Sequence, residues 1–242
     1  MMGVVRSELL RSVSGLSVLA VYLVALLVPV FVLLSDGSRF ELEGLGSGAA
    51  TVLLLEPLAW FGIAAAFVGS YTVTREYYYG SMDRTLARVG LRRAFVGKLA
   101  AGVLTAVALS VVVFAVWTAV VAVILARGGL SLVLSPDAWR VLGGAVVAAV
   151  LGALIGASIG WLTRNYYATA IIILVFPLAV EFGLLRTAPE IARFSPGLAL
   201  AALSVPDYQG RLLPFVSALA IVLLWTVGLV ALAWLRRRRS SA

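Results

Sequence analysis

Two glutamates inside strongly apolar stretches are the residues best placed to do chemistry in this sequence. Glu56 lies in TVLLLEPLAWFG and Glu181 in IIILVFPLAVEFG, and each has a proline nearby, Pro57 and Pro177. An ionised carboxylate that faces lipid is costly, so each should face protein or a wet cavity. A proline within a helix also frees a backbone carbonyl and can kink the helix. We predict that both glutamates line the outer half of a substrate pathway; the alternative is a place near the interface, or a pair with a nearby arginine such as Arg186.

The residue types exclude most other chemistry. The chain has no cysteine and no histidine, which excludes disulfides, thiol nucleophiles, Cys/His metal sites and histidine acid–base catalysis. The acids are scattered singly and form no cluster that would hold Mg²⁺ for a membrane transferase. The nearest approach to the phosphate-binding pattern G-x-x-x-x-G-K-[ST] is Gly90 with Gly97-Lys98-Leu99, which has the wrong spacing and no hydroxyl after the lysine. We predict no catalytic residue, no metal site and no cofactor bound by this chain.

The composition indicates a membrane protein. Of the 242 residues, 62% are hydrophobic and 12% are charged, whereas soluble domains have about 25% charged residues. The mean hydropathy is +1.08, too high for one soluble core to hide. The net charge of +8 comes from cations that flank apolar runs, so we predict no binding to nucleic acid.

Six apolar runs are each long enough to cross a membrane as a helix. About 20 apolar residues span a hydrocarbon core of about 30 Å. The first run exceeds the roughly 7–15 residues of a signal-peptide core, and no A-x-A-like site follows it, so we predict no cleavable signal. The predicted fold is a single all-α integral membrane domain over residues 1–242, with spans at residues 16–34, 49–73, 99–126, 141–162, 166–185 and 212–235.

Two regions outside these spans carry shorter apolar patterns. Residues 1–15 are apolar on one helical face, which predicts an amphipathic helix in the membrane interface; a frayed terminus is the alternative. Residues 186–211 contain two apolar pieces that are broken at Ser195-Pro196 and are too short to cross. Backbone at membrane depth must satisfy its own hydrogen bonds. We therefore predict a re-entrant or surface-lying helical hairpin on the outer face, with a disordered loop as the alternative.

A stripe of glycines marks the span at residues 141–162. Gly152, Gly156 and Gly160 recur at every fourth residue and so lie on one face of the helix. Small residues at this spacing are typical of close contact between transmembrane helices. The stripe predicts helix packing and requires no functional explanation.

The distribution of basic residues predicts the orientation. Cytoplasmic loops carry an excess of lysine and arginine. With the N-terminus inside, 13 of the 19 basic residues fall on the inner side and six on the outer side. We predict a multi-pass protein of the cell membrane with both termini in the cytoplasm.

The longest charged segment between two apolar regions runs from Arg75 to Lys98. It holds six cations and two acids, and the charge count places it in the cytoplasm. Within it, Met82, Leu86 and Val89 recur at i, i+4 and i+7 beside charged residues. An apolar stripe with charged edges suits docking of a helix in a partner's groove. A helix lying on anionic lipid is the alternative.

The segment REYYYGSMDRTLARVGLRRAFVGK resembles the region after the second span of integral-membrane permeases of the ABC-2 export type. The six-span plan, the amphipathic N-terminus and the broken outer hairpin also resemble that family. Gly90 departs from the pattern, since many relatives have proline there. The positions that match, in order and in approximate spacing, are Glu76, Gly80-Ser81, Arg84-Thr85-Leu86, Arg92-Arg93 and Lys98.

This resemblance implies a half-transporter that moves an amphipathic peptide, antibiotic, drug or lipid outward. A second permease copy or a similar permease would complete the pathway, and two cytoplasmic ATPase subunits would drive it with ATP and Mg²⁺ bound on their own chains. A short helix between spans 2 and 3 would dock on the ATPase. It maps to Gly80, Ser81, Met82, Asp83, Arg84, Thr85, Leu86, Arg88 and Val89.

Two other functions remain open at this point. A membrane scaffold or sensor would use the basic segment to recruit a soluble protein without transport. An ion-coupled carrier would work alone and would need Glu56 or Glu181 to be proton-linked. Tyr77, Tyr78 and Tyr79 lie at the predicted inner interface, where aromatic rings are common; a specific binding role for them is the alternative.

Overall fold

The computed structural model describes residues 44–206 and 210–239, together with the isolated positions Ser7, Leu9, Leu27 and Leu42. The predicted interfacial helix at residues 1–15 and the predicted first span at residues 16–34 lie outside the described residues, apart from three of those positions. The described part of the chain is helical and has no β-strand, as predicted for an all-α protein.

The helices follow the apolar runs of the sequence. In chain order they are α1 (Ser47–Leu55), a 3₁₀ turn (Glu56–Trp60), α2 (Phe61–Tyr78), α3 (Met82–Val89), α4 (Leu91–Arg127), α5 (Pro136–Thr163), α6 (Tyr166–Ala170), a π-helical segment (Ile171–Glu181), α7 (Phe182–Thr187), α8 (Pro189–Ala192), α9 (Pro196–Ala202) and α10 (Phe215–Arg239).

Within the described residues, five helical stretches are long and apolar enough to cross a membrane, which indicates a multi-pass membrane protein. They correspond to the five predicted spans that fall on described residues, and all five helices extend beyond the apolar runs at one or both ends. Their bounds are Ser47–Tyr78, Leu91–Arg127, Pro136–Thr163, Tyr166–Thr187 and Phe215–Arg239.

Residues 186–211 contain the two predicted short elements. α8 and α9 are separated at Arg193–Ser195, next to the predicted break at Ser195-Pro196. The residues of α9 that follow Pro196 are all buried, so this helix packs inside the bundle. It contacts α2, α5, α10 and the 3₁₀ turn.

The stretch from α1 to α2 forms the centre of the bundle. Of the 18 consecutive residues that are most apolar in this stretch, 83% are buried. In α10, at the periphery, only 17% of the corresponding residues are buried. α2 has its most extensive contact with α5, and α4 packs on both. The packing of this helix pair therefore controls the arrangement of the others.

Glycines bring the backbones of α2 and α5 into direct contact, as the stripe predicted. A Cβ added to Gly156 would overlap the Ala66 carbonyl oxygen, and one added to Gly152 would overlap that of Gly62. On the facing helix, a Cβ at Gly69 would overlap the Ala153 carbonyl oxygen. No other residue type fits at these positions without separating the helices.

At the break in the central span, a side chain from α4 provides a hydrogen bond to a backbone carbonyl. A 3₁₀ turn would pair the Leu54 carbonyl with the N–H of residue 57, but Pro57 has none. The buried indole of Trp117 instead donates to the Leu54 carbonyl over 2.9 Å. Non-helical backbone at membrane depth needs such a partner.

The glycine contact yields a test with a matched control in the same helix. We expect Gly156→Ala to lower the free energy of unfolding by about 1–3 kcal/mol, because the new methyl group meets backbone. Gly143 is exposed, and a methyl group added there would have no neighbouring atom within 4 Å. Gly143→Ala should therefore be neutral or stabilising by up to about 1 kcal/mol. Unfolding by SDS titration in detergent micelles measures both, and equal effects would contradict the contact between α2 and α5.

Candidate functional site

The predicted docking segment forms a separate short helix between two glycine turns. α3 (Met82–Val89) follows Gly80, which has φ +60°, and precedes Gly90, which has φ +78°. The Ser81 amide donates to the Glu76 carbonyl over 2.9 Å and joins the turn to the end of α2. α3 thus connects the C-terminal end of α2 to the start of α4, and it packs against α4.

The apolar stripe of α3 faces the protein's own interior in this structure, and not outward toward the groove of a partner. Met82 is only 2% exposed and belongs to a buried cluster with Phe95 and Trp161. Leu86 is partly buried against the same cluster. The stripe is a packing surface, as its pattern indicates, but its neighbours are α2, α4, α5 and α10 of this chain. A pattern of apolar residues alone does not specify which surface covers them.

The face of α3 that remains accessible is short and charged. Asp83, Arg84, Ala87 and Arg88 are exposed, whereas Ser81, Thr85 and Val89 are less accessible or lie at the edges of this face. Any docking through α3 in this conformation must therefore depend mainly on charge and hydrogen bonding.

A buried ion pair joins the two helices that flank α3. Lys98 Nζ lies 3.1 Å from Glu76 Oε1, and both side chains are almost completely buried. The ammonium also donates to the Thr72 carbonyl over 3.1 Å. A buried charge needs both a counter-charge and hydrogen bonds. The pair therefore fixes the end of α2 against α4 at the base of α3.

Gly90, where the segment departs from the pattern of the permeases that it resembles, is explained by the backbone conformation. Its φ of +78° is inaccessible to proline, whose ring fixes φ near −65°. Its amide donates to the Leu86 carbonyl over 2.9 Å, a bond that proline cannot make. The turn between α3 and α4 in this chain thus requires glycine.

Glu181 is bonded to the chain's own short helix. It is 1% exposed, and its Oε1 accepts a hydrogen bond from the Gly197 amide over 3.2 Å. Gly197 lies in the first turn of α9, where helix amides have no intrahelical partner. Among the described residues Arg186 makes no ion pair with Glu181. The geometry gives this carboxylate a structural role as the cap of α9; the pathway role stays a prediction.

Glu56 begins the 3₁₀ turn and is partly buried. The same turn contacts the segment after Glu181, because the rings of Trp60 and Phe182 lie 4.4 Å apart between centroids. The structure therefore brings together the two broken helices that carry the predicted pathway residues. The role of Glu56 in a substrate pathway stays a prediction.

The three consecutive tyrosines separate into two environments. Tyr77 packs against Trp161, with ring centroids 6.2 Å apart. Tyr78 and Tyr79 lie on another side, where they line an open cavity of about 210 Å³ with Tyr71, Arg75, Tyr166 and Tyr167. The tyrosines of α6 were not singled out in the sequence, although the Tyr166-Tyr167 pair directly follows a tight connection between spans.

The ion pair was also missed, although both of its residues were named as motif positions. A signal was present: Lys98 opens a long apolar run, and a lysine there needs an acid from a neighbouring helix. Glu76 is the acid closest to the end of the preceding span. Sequence spacing alone did not show that these two residues, on either side of α3, form an ion pair.

Comparison with known protein families, curated proteins and solved structures finds no match for this chain. Its function must therefore be inferred from its own residues and geometry. The features that contribute are the exposed face of α3, the ion pair beneath it and the tyrosine-lined cavity.

The ion pair gives a second test. We expect Lys98→Met to lower the free energy of unfolding by about 3–5 kcal/mol, because it removes the counter-charge of the buried Glu76 carboxylate. The double variant Glu76→Leu/Lys98→Met should cost less than Lys98→Met alone, since it removes both charges. SDS titration in micelles measures both of these variants and the single variant Glu76→Leu. Arg92→Met, at an exposed position of the same helix, is the control and should change stability by no more than about 0.5 kcal/mol. Additive effects of the Glu76 and Lys98 changes would show that the two residues do not interact.

Proposed function

We propose that this chain is the membrane subunit of an ATP-driven exporter of the ABC-2 kind. Separate cytoplasmic ATPase subunits, two per transporter, would bind ATP and Mg²⁺, and a second permease copy or a similar permease would complete the pathway. The observation that carries the proposal is α3, a short helix with an exposed charged face between the ends of two spans. The family resemblance of the surrounding segment supports the same assignment.

The packing of α3 suggests how movement of a partner would reach the spans. Its inner face, through Met82 and Leu86, contacts a cluster built from α2, α4, α5 and α10. The Glu76–Lys98 pair holds α2 and α4 together directly beside it. A displacement of α3 would therefore move both helices together. Packed interiors respond to such displacement by switching between arrangements and not by gradual deformation.

In this proposal the cargo is amphipathic and moves outward, toward the end of the bundle where α8 and α9 lie. The membrane orientation in this proposal is the one that the basic residues predict, with α3 on the cytoplasmic side.

The test first asks whether a reading frame next to that of this chain encodes an ABC-type ATPase, and then co-expresses the full chain with that ATPase. We expect a complex that survives purification and an ATPase rate that rises when the permease is present. Arg84→Ala/Arg88→Ala should lower the affinity of the pair about tenfold or more, because both arginines lie on the exposed face of α3. Affinity is measured by titrating ATPase onto permease in nanodiscs.

The control is Arg127→Ala/Arg211→Ala, which removes two exposed arginines on the predicted outer side. Because α4 has 37 residues and is about 55 Å long, Arg127 lies far from α3. Equal loss in both double variants would contradict docking through α3. A complex that forms but leaves ATP hydrolysis and cargo movement unchanged would instead indicate a scaffold.

A further inference from the structure

We propose that the C-terminal end of α10 binds the headgroups of anionic phospholipids through Arg236 and Arg239. α10 (Phe215–Arg239) has four consecutive arginines in its last turn and contains no acidic residue. The proposed surface is separate from the exposed face of α3, so it does not depend on the proposed transport function.

The two arginines continue an exposed apolar stripe of α10. The residues Leu232, Leu235, Arg236 and Arg239 recur at i, i+3, i+4 and i+7, which places them on one face of the helix. Leu232 is 54% exposed and Leu235 is 52% exposed. Arg236 and Arg239 are exposed as well. One accessible helix face therefore changes from apolar to basic within about two turns.

Both arginines are available to an external anion. None of the ion pairs within the described part of the chain involves Arg236 or Arg239. Arg237 and Arg238, in contrast, have interactions within the protein and are not part of the proposed surface. Two guanidinium groups on one face, one helical turn apart, need a negatively charged ligand as their complement.

The position of the arginines favours lipid over a soluble partner. Leu232 and Leu235 are exposed on a helix that is long and apolar enough to cross a membrane, so hydrocarbon would cover them. Arg239 lies about 6 Å further along the helix axis than Leu235, toward the phosphates. An arginine can keep its aliphatic stem on the apolar surface and its guanidinium among the headgroups.

The end of α10 lies at the same end of the bundle as α3. The rings of Trp234 and Phe95 are 5.3 Å apart between centroids, and both residues belong to the cluster that contains Met82 of α3. The basic residues predict that this end is cytoplasmic. The cytoplasmic leaflet carries anionic phospholipids, and a guanidinium matches a phosphate in a bidentate geometry.

The test measures lipid binding to the full chain in detergent micelles by native mass spectrometry. Phosphatidylglycerol should bind about tenfold or more tightly than phosphatidylcholine, and Arg236→Gln/Arg239→Gln should remove most of that preference, because each basic residue contributes about fivefold at an anionic surface. In the unmodified chain the preference should also fall as ammonium acetate is raised, because exposed charges are screened. This second measurement tests the proposal even if the variant does not fold.

Two control variants separate the surface from general charge. Arg127→Gln/Arg211→Gln removes the same number of exposed arginines at the predicted outer side and should change phosphatidylglycerol affinity less than about twofold. Arg236→Lys/Arg239→Lys keeps both charges and should retain the preference to within about threefold.

Three results would overturn the proposal. The first is an equal loss in the α10 and outer glutamine variants, or a preference that salt does not change. The second is displacement of the lipid by an equal concentration of inorganic phosphate, which would show a free-phosphate site. The third is an unchanged lipid preference in Arg236→Gln/Arg239→Gln together with weaker binding of the ATPase, which would assign these arginines to a protein partner.

Discussion

The close approach of α2 and α5 is the constraint on which the rest of the bundle depends. In lipid the hydrophobic effect does not drive helices together, so van der Waals contact between small residues has to hold them. Gly152 and Gly156 place α5 directly on the carbonyls of Gly62 and Ala66. A further glycine of α5, Gly144, admits the backbone after α9 in the same way, next to the Leu203 carbonyl. The central helix, its neighbour and the buried short helix are thus one packed unit.

The same unit contains two interruptions of regular helix, and side chains from elsewhere satisfy both. The Trp117 indole serves the carbonyl left by the break at Pro57, and the Glu181 carboxylate serves the amide of Gly197. Unpaired backbone groups at membrane depth would each cost several kcal/mol. Polar residues that suggested a substrate pathway in the sequence can therefore have a structural function as well.

At the other end of the bundle, α2 presents consecutive residues to different neighbours. Glu76 turns inward to Lys98 on α4, whereas Arg75 stacks between Tyr71 and Tyr79 at the open cavity. Successive residues of a helix point about 100° apart, so one helix end serves both contacts. The ion pair and the tyrosine-lined cavity therefore both involve the C-terminal end of α2.

The sequence by itself determined the all-helical class, the five described spans, the separate helix α3 and the glycine stripe. These follow from local signals: apolar length, helical periodicity and glycine spacing. Tertiary structure alone decided that the stripe of Met82 and Leu86 faces inward, that Glu76 pairs with Lys98, that Glu181 caps α9, and that Tyr166 and Tyr167 complete a cavity with Arg75. Each of these contacts joins residues from separate elements. Periodicity shows which face of a helix is apolar or charged, but the partner of that face depends on how distant helices pack.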